Sequence, residues 1–227
     1  SDNDDLTLGG PPETIISANA NAGFSIVKWE GTGTQTQIPH GLSAVPEMII
    51  SKRFDSTNNW SFYHKDLGLS HSTYPNWLYL NLTSAEQNSA SSANHPYYAR
   101  PSATVIYQNT GTSESTNVDG GEYISYCFHS VAGYSDIGSY QGNGSGSGQT
   151  ITTGFQPDWI ILKSTSVASE WVIVDSVRGD AYLLAESSGA EVSPYTAIDF
   201  LSTGFKLTGT SYNESGRTFI YWTHKIN

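Results

Sequence analysis

The sequence predicts an all-β fold, formed by two tandem antiparallel β-sandwich repeats of jelly-roll-like type that pack together. Three observations lead to this prediction. Short segments rich in aromatic and β-branched residues recur along the chain, clusters of Gly, Asn, Ser, Thr and Pro separate them, and one long phrase occurs twice. Such segments and breaks are typical of antiparallel strands joined by turns.

The candidate strands of the first half begin after residue 22. The run MII is continuously apolar, which predicts a central strand covered on both faces. The segment TSAEQNSASSA could form a helical turn, but its serine content favours a loop. In chain order, these candidate strands are FSIVKWE, EMIISKRF, WSFYHK, WLYLNL, TVIYQ and EYISYCFHSV.

The second half offers a matching series: YSDIGSY, DWIILKS, EWVIVDS, AYLLAES, FKLT and RTFIYWTHKI. Each half therefore supplies six or seven strands, which is the size of one small β-sandwich. Alternation along the last strand assigns its residues to two faces: Thr218, Ile220 and Trp222 to one, Phe219, Tyr221 and Thr223 to the other.

The repeated phrase predicts a duplicated unit of about 100 residues. GFSIVKWEGTG at 23–33 resembles GYSDIGSYQGNG at 133–144. Seven pairs have a separation of 111 positions: Gly31/Gly142, Gly33/Gly144, Pro46/Pro157, Ile49/Ile160, Ile50/Ile161, Lys52/Lys163 and Trp60/Trp171. Three later pairs are 95 apart: Gly121/Gly216, Tyr126/Tyr221 and His129/His224. This alignment places Trp222 opposite Cys127 and gives repeat one 16 additional residues.

These matches predict an N-terminal linker or arm over 1–22, a first repeat over 23–132 and a second over 133–227. The additional residues are assigned to an insertion near 70–103. No Pro/Gly linker separates the repeats, so we expect them to pack against each other. Whether they form two sandwiches or share one stays open. We expect the paired Ile residues to be buried and the paired Trp residues to hold equivalent core positions.

Composition argues against several functions. The net charge of −11 repels phosphate backbones, so no nucleic-acid partner is expected. No apolar run reaches 18 residues, so no membrane insertion is expected. The single cysteine, Cys127, lies in the apolar run YISYCFHSV and is predicted to be a buried core residue.

The sequence offers no constellation for catalysis or metal binding, so we predict a non-enzymatic protein without catalytic residues, metal or cofactor. The six histidines show no ligand spacing. The phrase GNGSGSG has the letters of a nucleophile elbow but lacks its strand-to-helix context. Glu47 and Asp158 are repeat equivalents and are expected to lie on separate repeats, where they cannot form a hydrolytic pair.

The insertion in repeat one is the predicted partner-binding or glycan-binding site. It carries Tyr and Trp among Ser and Asn, a composition typical of contact loops. We expect residues 70–103 to be exposed. The alternative, that the tyrosines fold back onto the sandwich as packing, remains open at this point. The candidate contact residues are Trp77, Tyr97, Tyr98 and Arg100.

Several phrases together resemble a tandem-repeat domain family of unknown function. They include GFSIVKWEGTGTQTQIPHGLSAVPEMIISKR, YISYCFHSVAGYSDIGSYQGNG, GFQPDWIILKS and DFLSTGFKLTGTS. That family occurs in tail-fibre and other structural virion proteins of marine phages, including cyanophages and pelagiphages. The resemblance implies a virion component on the particle surface and carries no catalytic motif with it.

Two functions are therefore expected. The first is a structural virion protein, as a tail fibre, knob or capsid-attached fibre module with a host-surface contact as an option. Its partners are other virion proteins or copies of itself in a homo-oligomer, with a host glycan as a further option. The alternative is a carbohydrate-binding, lectin-like module that uses aromatic loop residues. Oligomeric state discriminates them, because fibres are oligomers and isolated sugar-binding modules are usually monomers.

Overall fold

A computed structural model describes residues 13–70, 73–89, 95–110 and 116–226 of the chain. Nearly all its regular structure is antiparallel strand, which confirms the predicted all-β fold. The one helical element in those ranges is the short 3-10 turn Ala20–Ala22. None of the described helical structure is long and apolar enough to cross a membrane.

The chain divides into two compact units. Unit 1 comprises Ser1–Leu80 and Glu86–His129, and unit 2 comprises Asn81–Ala85 and Ser130–Asn227. The short segment Asn81–Ala85 thus belongs to unit 2, although residues of unit 1 precede and follow it in the chain.

The described residues of unit 1 form ten strands, and the first of these strands lies within the predicted N-terminal arm. Thr14–Asn19 pairs with Phe24–Glu30 along its whole length, so the arm prediction is wrong for these residues. Residues 1–12 of that arm lie outside the described residues. The strands are β1 (Thr14–Asn19), β2 (Phe24–Glu30), β3 (Thr36–Pro39), β4 (Met48–Arg53), β5 (Ser61–His64), β6 (Leu69–Ser70), β7 (Tyr74–Pro75), β8 (Leu78–Tyr79), β9 (Val105–Gln108) and β10 (Glu122–Phe128).

The part of unit 2 that the structure describes has eight strands, and the predicted alternation of its last strand is confirmed. Phe219 and Tyr221 belong to the hydrophobic core of this unit. The strands are β11 (Ser135–Gln141), β12 (Gln149–Thr152), β13 (Trp159–Ser164), β14 (Val172–Asp175), β15 (Leu183–Leu184), β16 (Ile198–Leu201), β17 (Gly204–Leu207) and β18 (Thr218–His224).

The larger sheets of the two units have the same strand order, except that unit 1 has the additional edge strand β1. Unit 1 has the order β1-β2-β10-β4-β5-β8, and unit 2 has β11-β18-β13-β14-β15. Each also has a smaller sheet, β3-β9 in unit 1 and β12-β17-β16 in unit 2. The core of each unit contains residues from both its larger and its smaller sheet. Stacked aromatic pairs occupy matching places in these cores: Trp29 on Tyr123 at 4.3 Å, and Tyr140 on Phe219 at 5.2 Å.

Backbone contacts give the true alignment of the last strands, and it differs by one residue from the sequence alignment. Gly31 N donates to Gly121 O, whereas Gly142 N donates to Arg217 O. Gly121 therefore matches Arg217, a separation of 96 and not the predicted 95. Because side chains alternate between faces, a shift of one residue reverses every orientation.

The corrected alignment explains the orientations in β10 and β18. Tyr126 lies opposite Ile26 and Ile50, and Trp222 holds the corresponding place in unit 2. Tyr221, which the sequence alignment matched to Tyr126, instead belongs to the core of unit 2. By the same correction, Thr223 and not Trp222 matches Cys127, which is fully buried as predicted. His224 likewise matches Phe128 and not His129.

The additional residues of unit 1 do not form one insertion. Trp77 makes an antiparallel bridge with Gln87, and Tyr182 makes the same bridge with Val192, 105 positions later. The separation thus falls from 111 to 105 between Trp60 and Trp77, where unit 1 has the β6–β7 hairpin. It falls further in three later loops and reaches 96 at β10. The excess is therefore 15 residues spread over four loops, which corrects the predicted insertion near 70–103.

The paired apolar residues are not equally buried. Ile49 and Ile160 are fully buried in the two cores, as predicted. Ile161 is also buried, but Ile50 is only partly buried, so the burial prediction is wrong for Ile50. This difference arises on the outer faces of the larger sheets.

Candidate functional site

The residues predicted to contact a partner lie in unit 1, and two of them are buried. Tyr97 is 2% exposed and Trp77 is 5% exposed. Tyr97 belongs to the core, where its ring stands edge-on to Tyr63 with 5.8 Å between centroids. The prediction that residues 70–103 are exposed is wrong for these two side chains. Residues 71–72 and 90–94 of that stretch lie outside the described residues.

Equivalent positions in unit 2 give the physical reason for this burial. Tyr97 pairs with Gln108 at the end of β9, as Ile198 pairs with Leu207 at the end of β17. Both positions face a core, so the fold requires an apolar side chain there. The open alternative, that this tyrosine packs onto the sandwich, is correct for Tyr97.

The two remaining candidates are half-buried. The Arg100 guanidinium donates to Tyr63 Oη at 3.4 Å, to the Lys65 carbonyl and to Leu67 O at 2.6 Å. These bonds hold the turn after β5, which is a structural role. Tyr98 packs edge-on against Tyr107 with 5.3 Å between ring centroids.

A groove on the outer face of unit 1 is the strongest candidate site. Here β2, β10 and β4 lie side by side, and alternate residues point away from the core. The groove has a volume of about 720 Å³. Its floor and walls include Lys28, Lys52, Phe54, Trp60, Ile124 and Tyr126, with residues 56–58 at one side.

The groove combines apolar surface with positive charge. Phe54 is 47% exposed, and Lys28 Nζ lies 5.4 Å from its ring centroid. Lys28 also pairs with Glu122 at 3.0 Å. Lys52 Nζ donates to the Arg53 carbonyl and to Ser56 O at 3.1 Å. Asn58 Oδ1 is buried without a hydrogen-bond partner.

The same place in unit 2 is filled by a segment of polypeptide. Lys163 and Trp171, the matches of Lys52 and Trp60, are both buried there. Trp171 Nε1 donates to Leu82 O at 3.2 Å. Thr83 O accepts hydrogen bonds from Ser169 N at 2.8 Å and from Lys163 Nζ at 3.4 Å. The backbone of Asn81–Ala85 thus satisfies the donors of this groove.

One protein-family model, described as Domain of unknown function (DUF7483), matches residues 7–225. The chain belongs to this family. No curated protein and no solved structure matches the chain. In this DUF7483 chain, the repeat alignment of the two halves pairs Lys52 with Lys163 and Trp60 with Trp171. Sequence alone gave no signal that one of these pairs is covered and the other open.

Burial changes the chemistry of the lysine in the filled groove. Loss of hydration lowers the pKa of Lys163 to about 8, and the nearby Glu186 carboxylate opposes this shift. Lys163 Nζ also donates to Ser164 O at 2.8 Å and to Ser169 Oγ at 3.2 Å. The pKa of Lys52 is also lowered, again mainly by burial.

A second shared feature fixes the loops that follow β2 and β11. The buried Asn117 accepts from Thr32 N at 2.8 Å, and the buried Asn213 accepts from Asn143 N at 3.0 Å. The segment after each asparagine packs closely against a glycine. A Cβ atom added to Gly31, for example, would lie only 2.0 Å from Val118 O, so no larger residue fits there. We call these two asparagines the loop clamps. Sequence analysis missed their role, because 95-residue spacing does not pair them.

The titratable groups of the described residues form no group of three or more His, Cys, Asp or Glu suited to a metal ion. Burial raises the pKa of the Cys127 thiol to about 12, which keeps it protonated. Glu47 and Asp158 serve structure: Glu47 pairs with Lys65 at 2.8 Å, and Asp158 accepts from Ile226 N at 2.8 Å. The arrangement of the groove suits recognition of a ligand.

Proposed function

We propose that this DUF7483 chain is a non-enzymatic structural protein of a marine phage virion, a tail fibre, knob or capsid-attached fibre module. It works by docking a polypeptide segment of a neighbouring subunit in the unit 1 groove. Its place is the particle surface, and its partners are other virion proteins or further copies of itself. The resemblance of GFSIVKWEGTG, GYSDIGSYQGNG and their flanking phrases to virion repeat domains supports the location.

We further propose that the two units descend from one duplicated domain. Their larger sheets share a strand order, and their loop clamps, stacked aromatic pairs and groove lysines hold matching places. A duplicated domain inherits its ways of binding. A groove that accepts polypeptide in one copy is therefore a reason to expect the same ligand class in the other.

The filled groove of unit 2 is the single observation that carries the docking proposal. Leu82 and Thr83 are bound there through their backbone carbonyls. Backbone recognition of this kind depends little on sequence, as in other modes of extended-peptide binding. The unit 1 groove has the matching lysine and tryptophan and an open apolar floor, so it suits a similar segment.

The test is a titration of the labelled protein with a peptide of residues 79–86, YLNLTSAE, followed by NMR. A short segment binds weakly, so the peptide is used at millimolar concentration. We expect shifts at the Trp60 indole and at Ile124, while Trp171 stays unchanged because its groove is filled. Shifts should disappear in Tyr126→Asp and persist in the control Lys65→Met. No shift in the wild-type protein would overturn docking.

The virion location is tested separately. Mass spectrometry of particles purified on a density gradient should detect the chain at a stoichiometry of many copies per particle. Its absence from particles, with presence in the lysate, would overturn the virion assignment and leave the docking result unaffected.

A carbohydrate-binding role remains the second candidate, now at the groove. The exposed Phe54 ring and the neighbouring Ser56, Thr57 and Asn58 provide the apolar face and polar groups that sugar rings require. A glycan array decides it: a Phe54-dependent signal would favour the lectin-like role, and an array without signal would remove it.

A further inference from the structure

We propose that the unit 1 groove binds residues 186–190 of a second copy of this chain, so that copies join head to tail. This inference rests on the docking function proposed above. It adds the identity of the docked segment and the way in which subunits are arranged.

The position of residues 186–190 in the chain supports this assignment. Asn81–Ala85 follows β8, and residues 186–190 follow β15, the matching strand of unit 2. Leu80 N donates to Trp60 O at 3.1 Å, and Ala185 N donates to Trp171 O at 3.0 Å. Because the strands before both segments match, residues 186–190 are the counterpart of the segment that fills a groove.

The two grooves also correspond residue by residue. Lys52 and Trp60 match Lys163 and Trp171, and Asn58 matches Ser169. In unit 2 these three residues bind the carbonyls of Leu82 and Thr83. The counterparts of those two carbonyls belong to Ser187 and Ser188. A copy can therefore present two consecutive backbone acceptors to the groove of unit 1.

The loop of residues 186–190 is largely accessible. Residues 187–190 are exposed, and Glu186 is half-buried, with its carboxylate accepting from Trp171 N at 3.1 Å. The counterpart groove in unit 2 already holds its segment. One chain thus has an open groove on unit 1 and an exposed loop, the donor loop, on unit 2. Because the groove and the loop are different surfaces, their contact is heterologous, and repetition produces a ring or a filament.

The sequence of the donor loop also indicates how tightly it binds. Ser187 stands where the filled groove has Leu82. Less apolar surface is buried, so copies should associate only at high local concentration, such as on an assembling particle. Replacing Ser187 by Leu should strengthen association roughly tenfold, because a leucine side chain contributes about 1.5 kcal/mol or more when buried.

The experiment is disulfide trapping between two single-cysteine variants. Asn58→Cys and Ser188→Cys mark the two groups that correspond to the bonded pair Ser169 and Thr83. The native Cys127 is buried and does not compete. The matched control is Val177→Cys, an 88% exposed site on unit 2 outside the loop.

Mixed Asn58→Cys and Ser188→Cys proteins should give a dimer whose tryptic map links positions 58 and 188. The yield should exceed that of Asn58→Cys with Val177→Cys at least fivefold and rise further with Ser187→Leu. Equal yields in both mixtures would overturn the head-to-tail contact. If the 79–86 peptide binds while trapping fails, docking stands and the second copy is wrong as occupant. If neither occurs, both proposals fall.

Discussion

The grooves of the two units are built from corresponding strands but differ in occupancy. In unit 2, Trp171 is 1% exposed and its indole N–H is bonded to Leu82 O. In unit 1, Trp60 is partly exposed beside an open cavity. Equivalent residues such as Trp60 and Trp171 can therefore lie in different environments in the two units. A segment of five residues is enough to convert a surface site into part of a core.

Truncation of the two tryptophans should expose this difference most strongly. Trp171→Ala should lower the free energy of unfolding of unit 2 by about 3–5 kcal/mol, since a buried aromatic side chain and its hydrogen bond are lost. Trp60→Ala should cost unit 1 about 1 kcal/mol, because the ring is partly hydrated already. Urea titration monitored for each unit measures both. Equal costs would mean that the grooves are equally filled in solution.

The loop clamps should behave alike, which makes them the internal control of the comparison. Asn117→Ala and Asn213→Ala each remove bonds to buried backbone groups, so each should cost its unit about 2–3 kcal/mol. The side-chain amide nitrogen of Asn213, for example, donates to Gly209 O at 3.0 Å and to Ser145 O at 3.3 Å. A clear difference between the two variants would indicate that the units differ in more than groove occupancy.

The isoleucines on the outer faces of the larger sheets, Ile50 and Ile161, should show a smaller difference in the same direction. Ile161→Ala should cost about 2 kcal/mol and Ile50→Ala about 1 kcal/mol, following their unequal burial. Thermal unfolding of both variants at one pH provides the measurement. A larger cost at Ile50 would contradict the open groove in unit 1.

The smallest effect concerns pH and the lysine of the filled groove. The folded pKa of Lys163 is about 8, below its ordinary value of 10.5, so between these values the unfolded chain binds more protons. The free energy of unfolding of unit 2 should therefore rise as pH increases from about 8 to about 10. The buried Tyr140, whose pKa is raised, opposes this trend at higher pH. Lys163→Met should flatten the rise, and Lys52→Met should not affect unit 2.

Local sequence patterns predicted the longer strands well but missed several short ones, such as β3 and β12. The expectation of six or seven strands per half is therefore wrong, since the described residues form ten in unit 1 and eight in unit 2. FSIVKWE forms β2 without an error at either end, and the alternation of RTFIYWTHKI is correct. The match of Gly121, Tyr126 and His129 to identical residues 95 positions later was misleading. Those residues lie one position out of register with the true structural counterparts, which are 96 positions later. Only hydrogen bonds such as Gly142 N to Arg217 O decide between the two alignments.

The groove itself was beyond reach of local patterns. Lys52/Lys163 and Trp60/Trp171 stood out as repeated pairs, and a core position was the natural interpretation of both tryptophans. Burial of Trp171 depends on Leu82, which lies 89 positions away in sequence. Loop aromatics likewise resembled a contact site, although Tyr97 is anchored in the core by its place beside β9. Contacts at this separation follow from the fold and leave no trace in composition.

The single thiol of the chain makes the two units experimentally separable. Cys127 lies in β10 with no exposed surface, in the core of unit 1. A thiol reagent can reach it only when that unit opens. The labelling rate of Cys127 in the folded protein therefore reports the opening of unit 1 alone. A ligand in the unit 1 groove should lower the labelling rate of Cys127. A ligand that binds only to unit 2 should leave this rate unchanged.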